Sequence, residues 1–180
     1  MKLGTLILGS AVLALGACAT GGDEGSPQSD AGPASVSAEI RDATGRVVAQ
    51  STAEEVGDGI RVRVESVALP QGAYGAHVHV TGRCDPPAFT TAGPHWNPTG
   101  RQHGKDNPQG MHKGDLPNLL VGTDGRGSFE YTIPDASLTG GASALLDADG
   151  AAVVVHQSAD DYRTDPSGNS GNRIACGVLG

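Results

Sequence analysis

From Ser35 onward, apolar and polar positions alternate along this chain with a period of two. The clearest run is Ile60-Arg61-Val62-Arg63-Val64-Glu65, the pattern of a strand with one wet face. Val36–Ile40 and Val47–Ser51 repeat it more weakly on either side of the turn signal Asp42-Ala43-Thr44-Gly45. Gly75–Val80 reads as another strand. Leu119–Gly122 and Ser128–Ile133 flank the connection Thr123–Gly127, and Ser143–Leu146 and Ala151–His156 flank Asp147–Gly150, both hairpin-like. The pattern predicts about eight strands and no helix: an all-β domain, antiparallel, closed as a sandwich or barrel.

Two stretches break the period. Thr81–Asn118 and Gln157–Asn172 carry Pro, Gly, Asp and Asn without alternation. Irregular loops longer than about 12–15 residues are uncommon unless they are functional or tied down. Composition agrees with a turn-rich β protein: aromatics make up 3%, while the 180 residues include 28 Gly and 11 Pro. The net charge of -8 leaves no basic face to neutralise phosphates, which excludes nucleic acid as a partner.

The first residues follow a different pattern. Lys2 precedes an apolar run, Leu3–Leu15, too short to span a bilayer but of signal-peptide length. The run leads into Leu15-Gly16-Ala17-Cys18, which resembles a bacterial lipobox. Residues 1–17 are therefore expected to be a signal peptide, Cys18 the lipidated first residue of the mature protein, and 18–34 a flexible Gly/Ser/Pro/acid tether to a domain at 35–180. The expected location is the bacterial cell envelope, periplasmic or surface-exposed, with the membrane touched only through this anchor. Lipidation of Cys18 leaves Cys84 and Cys176. An oxidising envelope lets these two pair as a disulfide; the alternative is two buried thiols.

Five of the six histidines (His77, His79, His95, His103 and His112) lie within Gly75–Leu116, and the sixth, His156, ends the apolar run Ala151–Val155. Imidazole is the commonest protein metal ligand and suits both copper and zinc. His77 and His79, two apart in a strand, point to one face and can reach one ion. His95, His103, His112 and Asp115 follow one another at spacings of eight, nine and three residues along a flexible loop. Three imidazoles and a carboxylate make a closed tetrahedral zinc site that would pin that loop. Six histidines and a carboxylate make two sites if one histidine serves both.

The HVH pair, GPHWNP, the His103-Gly104 step, HKGDL, VVVH followed by ADD, and the ending GNRIACGV together resemble the copper/zinc superoxide dismutase family. The resemblance spans Ser35–Gly180. It implies an eight-stranded antiparallel Greek-key β-barrel or sandwich with two long functional loops. It also implies conversion of two superoxide radicals to O2 and H2O2 by Cu(II)/Cu(I) cycling. The implied copper ligands are His77, His79, His95 and His156. The implied zinc ligands are His95, His103, His112 and Asp115, with His95 shared and active in catalysis. Asp160 matches the carboxylate that bonds one ligand of each metal, Arg173 the catalytic arginine beside copper, and Cys84–Cys176 the intrasubunit disulfide.

The sequence departs from eukaryotic members in three places. Their loop lysine and threonine are replaced here by Ser167 and no lysine, Trp96 follows the shared histidine where phenylalanine is common, and Cys84 follows His79 by only five residues. Monomer and homodimer both stay open. Loss of Lys2 takes the mature charge from -8 to -9, so attraction of an anionic substrate has to come from the metals and Arg173. The alternative to an enzyme is a copper/zinc-binding homologue, a carrier or buffer, with little catalysis.

Overall fold

The computed structural model describes residues 34–180, so the leader, Cys18 and most of the tether lie outside it. The period-two segments form strands: β1 (Ser35–Asp42), β2 (Val47–Val56), β3 (Gly59–Ser66), β4 (Gly72–Tyr74), β5 (Ala76–His79), β6 (Leu119–Val121), β7 (Gly127–Pro134), β8 (Ala151–His156) and β9 (Arg173–Leu179). One 3-10 turn, Thr90–Ala92, is the helical element among the described residues. Every strand pairing is antiparallel.

Seven strands form one sheet in the order β5-β8-β9-β1-β2-β3-β7, and β4 pairs with β6. The chain closes this sheet on itself. β4 runs into the edge strand β5 across Gly75, while β6 turns through Gly122–Arg126 into the opposite edge strand, β7. The β4–β6 pair thus joins the two edges of a curled antiparallel barrel. Its interior holds the inward positions of the alternating strands, among them Ile40, Ile60, Val62, Val64, Leu119 and Val153.

Three expectations need correction. The strand expected at Gly75–Val80 is the shorter β5, and an unexpected strand, β4, precedes it; the two are separated at Gly75, where an added Cβ would press on Ser170 at 2.9 Å. Ser143–Leu146 is not a strand. Its backbone bonds to Ser137 and Leu138, and Leu145 is buried as a plug in the core rather than in the ladder. β9 is a central strand that alternation does not reveal, since Gly177 interrupts it. That glycine is where β1 passes closest: a Cβ would meet the Glu39 carbonyl oxygen at 2.8 Å.

β8 is apolar at every position before His156 because both its faces are covered. Ala151, Val153 and Val155 face the barrel core, while Ala152 and Val154 pack outside it with Phe89, Ala92 and Cys176. The long loop after β5 provides that outer cover. Its segment 92–96 runs along the free edge of β5: the N–H groups of Val80, Thr81 and Trp96 donate to Pro94, Ala92 and Val78 at 3.1, 3.1 and 2.8 Å. An exposed sheet edge is thereby capped. The Cys84–Cys176 disulfide ties this loop to β9, with Cα atoms 5.6 Å apart across 92 residues of sequence. In the chain-entropy view, closing a loop that long stabilises by about 4–5 kcal/mol.

Candidate metal centre

Side chains on β5 alternate between the two environments described above. Val78 enters the barrel core, and His77 and His79 project to the outer side beneath the capping loop. β8 brings His156 to the same side, two residues beyond Val154, the register partner of His77. The loop supplies His95, whose backbone forms an isolated bridge with His79, and Asp115, which bridges His77 in the same way. All six histidines and Asp115 are buried. Two surface histidines on a wet strand would look quite different.

His77, His79, His95 and His156 each place a ring nitrogen within 4.8 Å of the others. In three of them the hydrogen bonding settles which nitrogen faces inward. His77 Nε2 donates to Asp160 Oδ2 (2.9 Å), His79 Nδ1 to the Gly93 carbonyl (2.8 Å), and His156 Nδ1 to the Gly171 carbonyl (3.3 Å). The remaining atoms, His77 Nδ1, His79 Nε2 and His156 Nε2, are buried with no partner in the protein. Leaving a buried polar atom unpaired costs roughly 1–3 kcal/mol. Three such atoms converging on one point fit a cation, and all-nitrogen donors suit copper.

The second cluster centres on Asp115. Its Oδ1 lies 3.0, 2.9 and 3.1 Å from Nδ1 of His95, His103 and His112, and His112 Nδ1 is 3.3 Å from His95 Nδ1. Zinc at 2.0–2.1 Å from tetrahedral ligands separates them by roughly 3.3 Å, so these donors are spaced for it. His77 also lies within 4.8 Å of His95, His103 and Asp115. His112 is the better fourth ligand, because its Nδ1 lies against both His95 Nδ1 and Asp115 Oδ1, whereas His77 Nε2 is bonded to Asp160 and its Nδ1 belongs to the first cluster. Asp115 is itself held by N–H groups of Gly104 (2.8 Å) and His112 (3.0 Å) donating to Oδ2.

Residues 43–179 match the family described as copper/zinc superoxide dismutase. This chain belongs to that family. It is 46% identical over 124 residues to the superoxide dismutase-like protein YojM of Bacillus subtilis, a match spanning 68% of this chain and 63% of that one. It is 38% identical over 146 residues to superoxide dismutase [Cu-Zn] 2 of Aquifex aeolicus, covering 79% of this chain and 84% of the relative. The crystal structure of a SOD-like protein from Bacillus subtilis superposes with a TM-score of 0.74 at 40% identity, over 79% of this chain and 97% of that one. Copper and zinc are therefore the metals that this family's two donor sets accept.

Further residues of this superoxide dismutase family member organise the centre. Asp160 Oδ1 accepts from His103 Nε2 (3.0 Å) while Oδ2 takes His77, so one carboxylate orients a ring from each cluster. Such partners fix ring orientation and tautomer. Asp160 is in turn clamped by Asn118, whose Oδ1 accepts from the Asp160 N–H (2.8 Å) and whose Nδ2 donates to its carbonyl (3.0 Å). Tyr162 accepts the Asn118 N–H on its hydroxyl (2.8 Å). Sequence reasoning missed Asn118 and Tyr162, which carry no metal-ligand signal of their own.

Arg173 lines the same cleft of about 800 Å³ as His95 and His156. Its Nη1 and Nη2 donate to the carbonyls of Phe89 (2.8 Å) and Gly93 (2.7 Å). The Gly93 carbonyl thus serves both Arg173 and His79. Trp96 is buried in the core and its backbone pairs with β5.

Burial dominates the titration of the copper-side rings. It lowers His77 and His79 below the ordinary histidine range, His95 to about 4 and His156 to about 3. His103 goes the other way. Burial opposes its charge, but hydrogen bonds to Asp115 and Asp160 outweigh that and raise it to about 9. Both its nitrogens face carboxylates, as an imidazolium requires. Ligating nitrogens must be free of protons. At pH 7–8 copper loading should therefore release almost no proton from its four rings, while zinc loading should eject one from His103. Zinc affinity should accordingly rise by about tenfold per pH unit up to pH 9 from this group. Calorimetry in buffers of different ionisation enthalpy checks this; equal proton release for both metals would contradict it.

Proposed function

We propose that this chain dismutates superoxide in the cell envelope, with copper held by His77, His79, His95 and His156 and zinc by His95, His103, His112 and Asp115. The observation that carries this reading is the convergence of the unpartnered nitrogens of His77, His79 and His156 beside His95, whose Nδ1 faces the second cluster. Bound copper supplies the one-electron couple that oxidises one superoxide to O2 and reduces the next to H2O2. The protein contributes geometry, charge and protons. His95 spans both clusters, so its orientation is fixed from the zinc side whatever happens on the other. His95 lines the cleft, so its Nε2, when free of a metal, would be placed to hold a proton there and hand it on.

Arg173 offers five N–H donors, of which two nitrogens are committed to carbonyls; the rest can meet a small anion in the cleft. Its charge is fixed by those carbonyls rather than by a carboxylate that would cancel it. Arg173→Ala should lower kcat/KM roughly 10–100-fold, the range a focused local field contributes, and flatten its salt dependence. Copper and zinc content should stay unchanged. An unaltered rate in Arg173→Ala would remove this arginine from the catalytic account.

The anchor is part of the proposal. It is supported by the order Lys2, Leu3–Leu15, Leu15-Gly16-Ala17-Cys18, and by a disulfide that an oxidising compartment sustains. Cys18→Ser should move the protein from the membrane fraction to the soluble fraction of the envelope. Retention in the membrane would remove the lipid anchor from the account.

A further inference from the structure

The outer nitrogens of the ring set divide unevenly. Those of His77 and His103 go to Asp160, and those of His79 and His156 go to backbone carbonyls. His95 has both nitrogens turned toward the clusters. Of these outer nitrogens, His112 Nε2 is the one without a hydrogen-bond partner among the described residues, and Asp165 Oδ1 lies 4.0 Å from it. The same carboxylate already accepts the backbone N–H of His103 at 2.6 Å.

We infer that Asp165 is a positioning residue for the zinc quartet, holding His103 through its main chain and His112 through its ring. The inference rests on the zinc assignment above. Asp165 stands to the zinc side as Asp160 stands across the two clusters: one carboxylate facing two ligand residues from outside, His103 at its main chain and His112 at its ring. A gap of 4.0 Å is too long for a direct hydrogen bond, but it is the span that one bridging water, or a closure of about 1 Å, converts into one. The approach of its loop is not accidental. The Asp106 N–H donates to the Tyr162 carbonyl (3.0 Å), and Asn107 Nδ2 to the Arg163 carbonyl (3.3 Å), so residues 162–165 are laid along 103–107. The carboxylate is half exposed, which leaves room for the water.

Two substitutions separate the contacts. Asp165→Asn keeps an oxygen for the His103 N–H and removes the charge facing His112; Asp165→Ala removes both. Zinc affinity of the full chain is measured by chelator competition, copper affinity alongside, and cobalt is placed in the zinc site to report ligand geometry by its absorption bands. The expected result is zinc binding weakened about 10–100-fold in Asp165→Ala and by less in Asp165→Asn, the range outer partners command. The cobalt spectrum should alter in both, with copper affinity and the unfolding temperature of the metal-free protein unchanged. Wild-type zinc affinity and cobalt spectrum in both variants would overturn the inference. So would an equal loss of copper and zinc, which marks general damage to the loop. Should the alanine variant fail to fold, the asparagine variant alone decides between these results. Failure of the wild-type chain to bind zinc tightly would instead sink the zinc assignment itself.

Discussion

Replacing His156 by alanine is expected to abolish dismutation. His156 ends β8 with its Nδ1 on the Gly171 carbonyl, which leaves Nε2 aimed into the copper set and unpaired. Its backbone N–H donates to the Gly75 carbonyl at 2.8 Å, a bond alanine keeps, so the strand should remain in place. What disappears is one of four nitrogen ligands. Loss of an outer partner alone costs a metal site 10–100-fold, so loss of a ligand should cost copper affinity at least ~100-fold. Asp115 draws its hydrogen bonds from His95, His103, Gly104 and His112, so the zinc quartet should fill normally. Metal analysis should find near-stoichiometric zinc with copper depleted, and the rate should fall to that of free copper at the same concentration. The metal-free variant should unfold close to the wild-type temperature, because truncation removes a buried unsatisfied atom along with its packing. Full copper occupancy with a wild-type rate would remove His156 from the site.

The second large effect is expected at a glycine. Gly168 has φ +62°, and a Cβ there would overlap Asp160 Oδ1 and stand 2.8 Å from His103 Nε2. The chain passes directly over the hydrogen bond that joins the two clusters. Gly168→Ala must displace either the loop or Asp160, and Asp160 is fixed from below by Asn118. Asp160 should therefore lose its hold on His77 and His103 together, weakening copper and zinc by about 10–100-fold each. Backbone strain of roughly 1–2 kcal/mol adds to this. Gly100→Ala separates the two contributions, since Gly100 has nearly the same φ, +63°, with nothing within 4 Å of its would-be Cβ. That control should lose stability without losing metal. Equal metal affinities in the two variants would show that the approach to Asp160 is not critical.

The parts of this protein that were legible in the sequence are those with a local signature. Alternation marked β3 and β7 because each has one wet face. The ligands were legible because histidine is rare, and here all six converge. The parts that were not legible depend on distant packing. β9 carries Gly177 and is buried among strands from both ends of the chain, so it shows no alternation. Leu145 looks like strand but serves as a core plug, a choice made by the barrel end and not by the segment. Gly168, Asn118 and Asp165 are ordinary loop residues until two loops about sixty positions apart in sequence lie against each other. Asp160 was singled out only through family resemblance, since Asp161 beside it has the same local pattern. The structure separates them: Asp160 turns inward to two rings, and Asp161 caps its own loop at Thr164 and Asn169.

Superoxide dismutation by the full chain, loaded with one copper and one zinc, tests the central claim most directly, with metal content measured on the same sample. The expected result is a rate far above that of free copper, lost on removal of copper and restored by its return. Tight binding of both metals with turnover no better than free copper's would contradict it and leave a metal-binding protein in the dismutase fold.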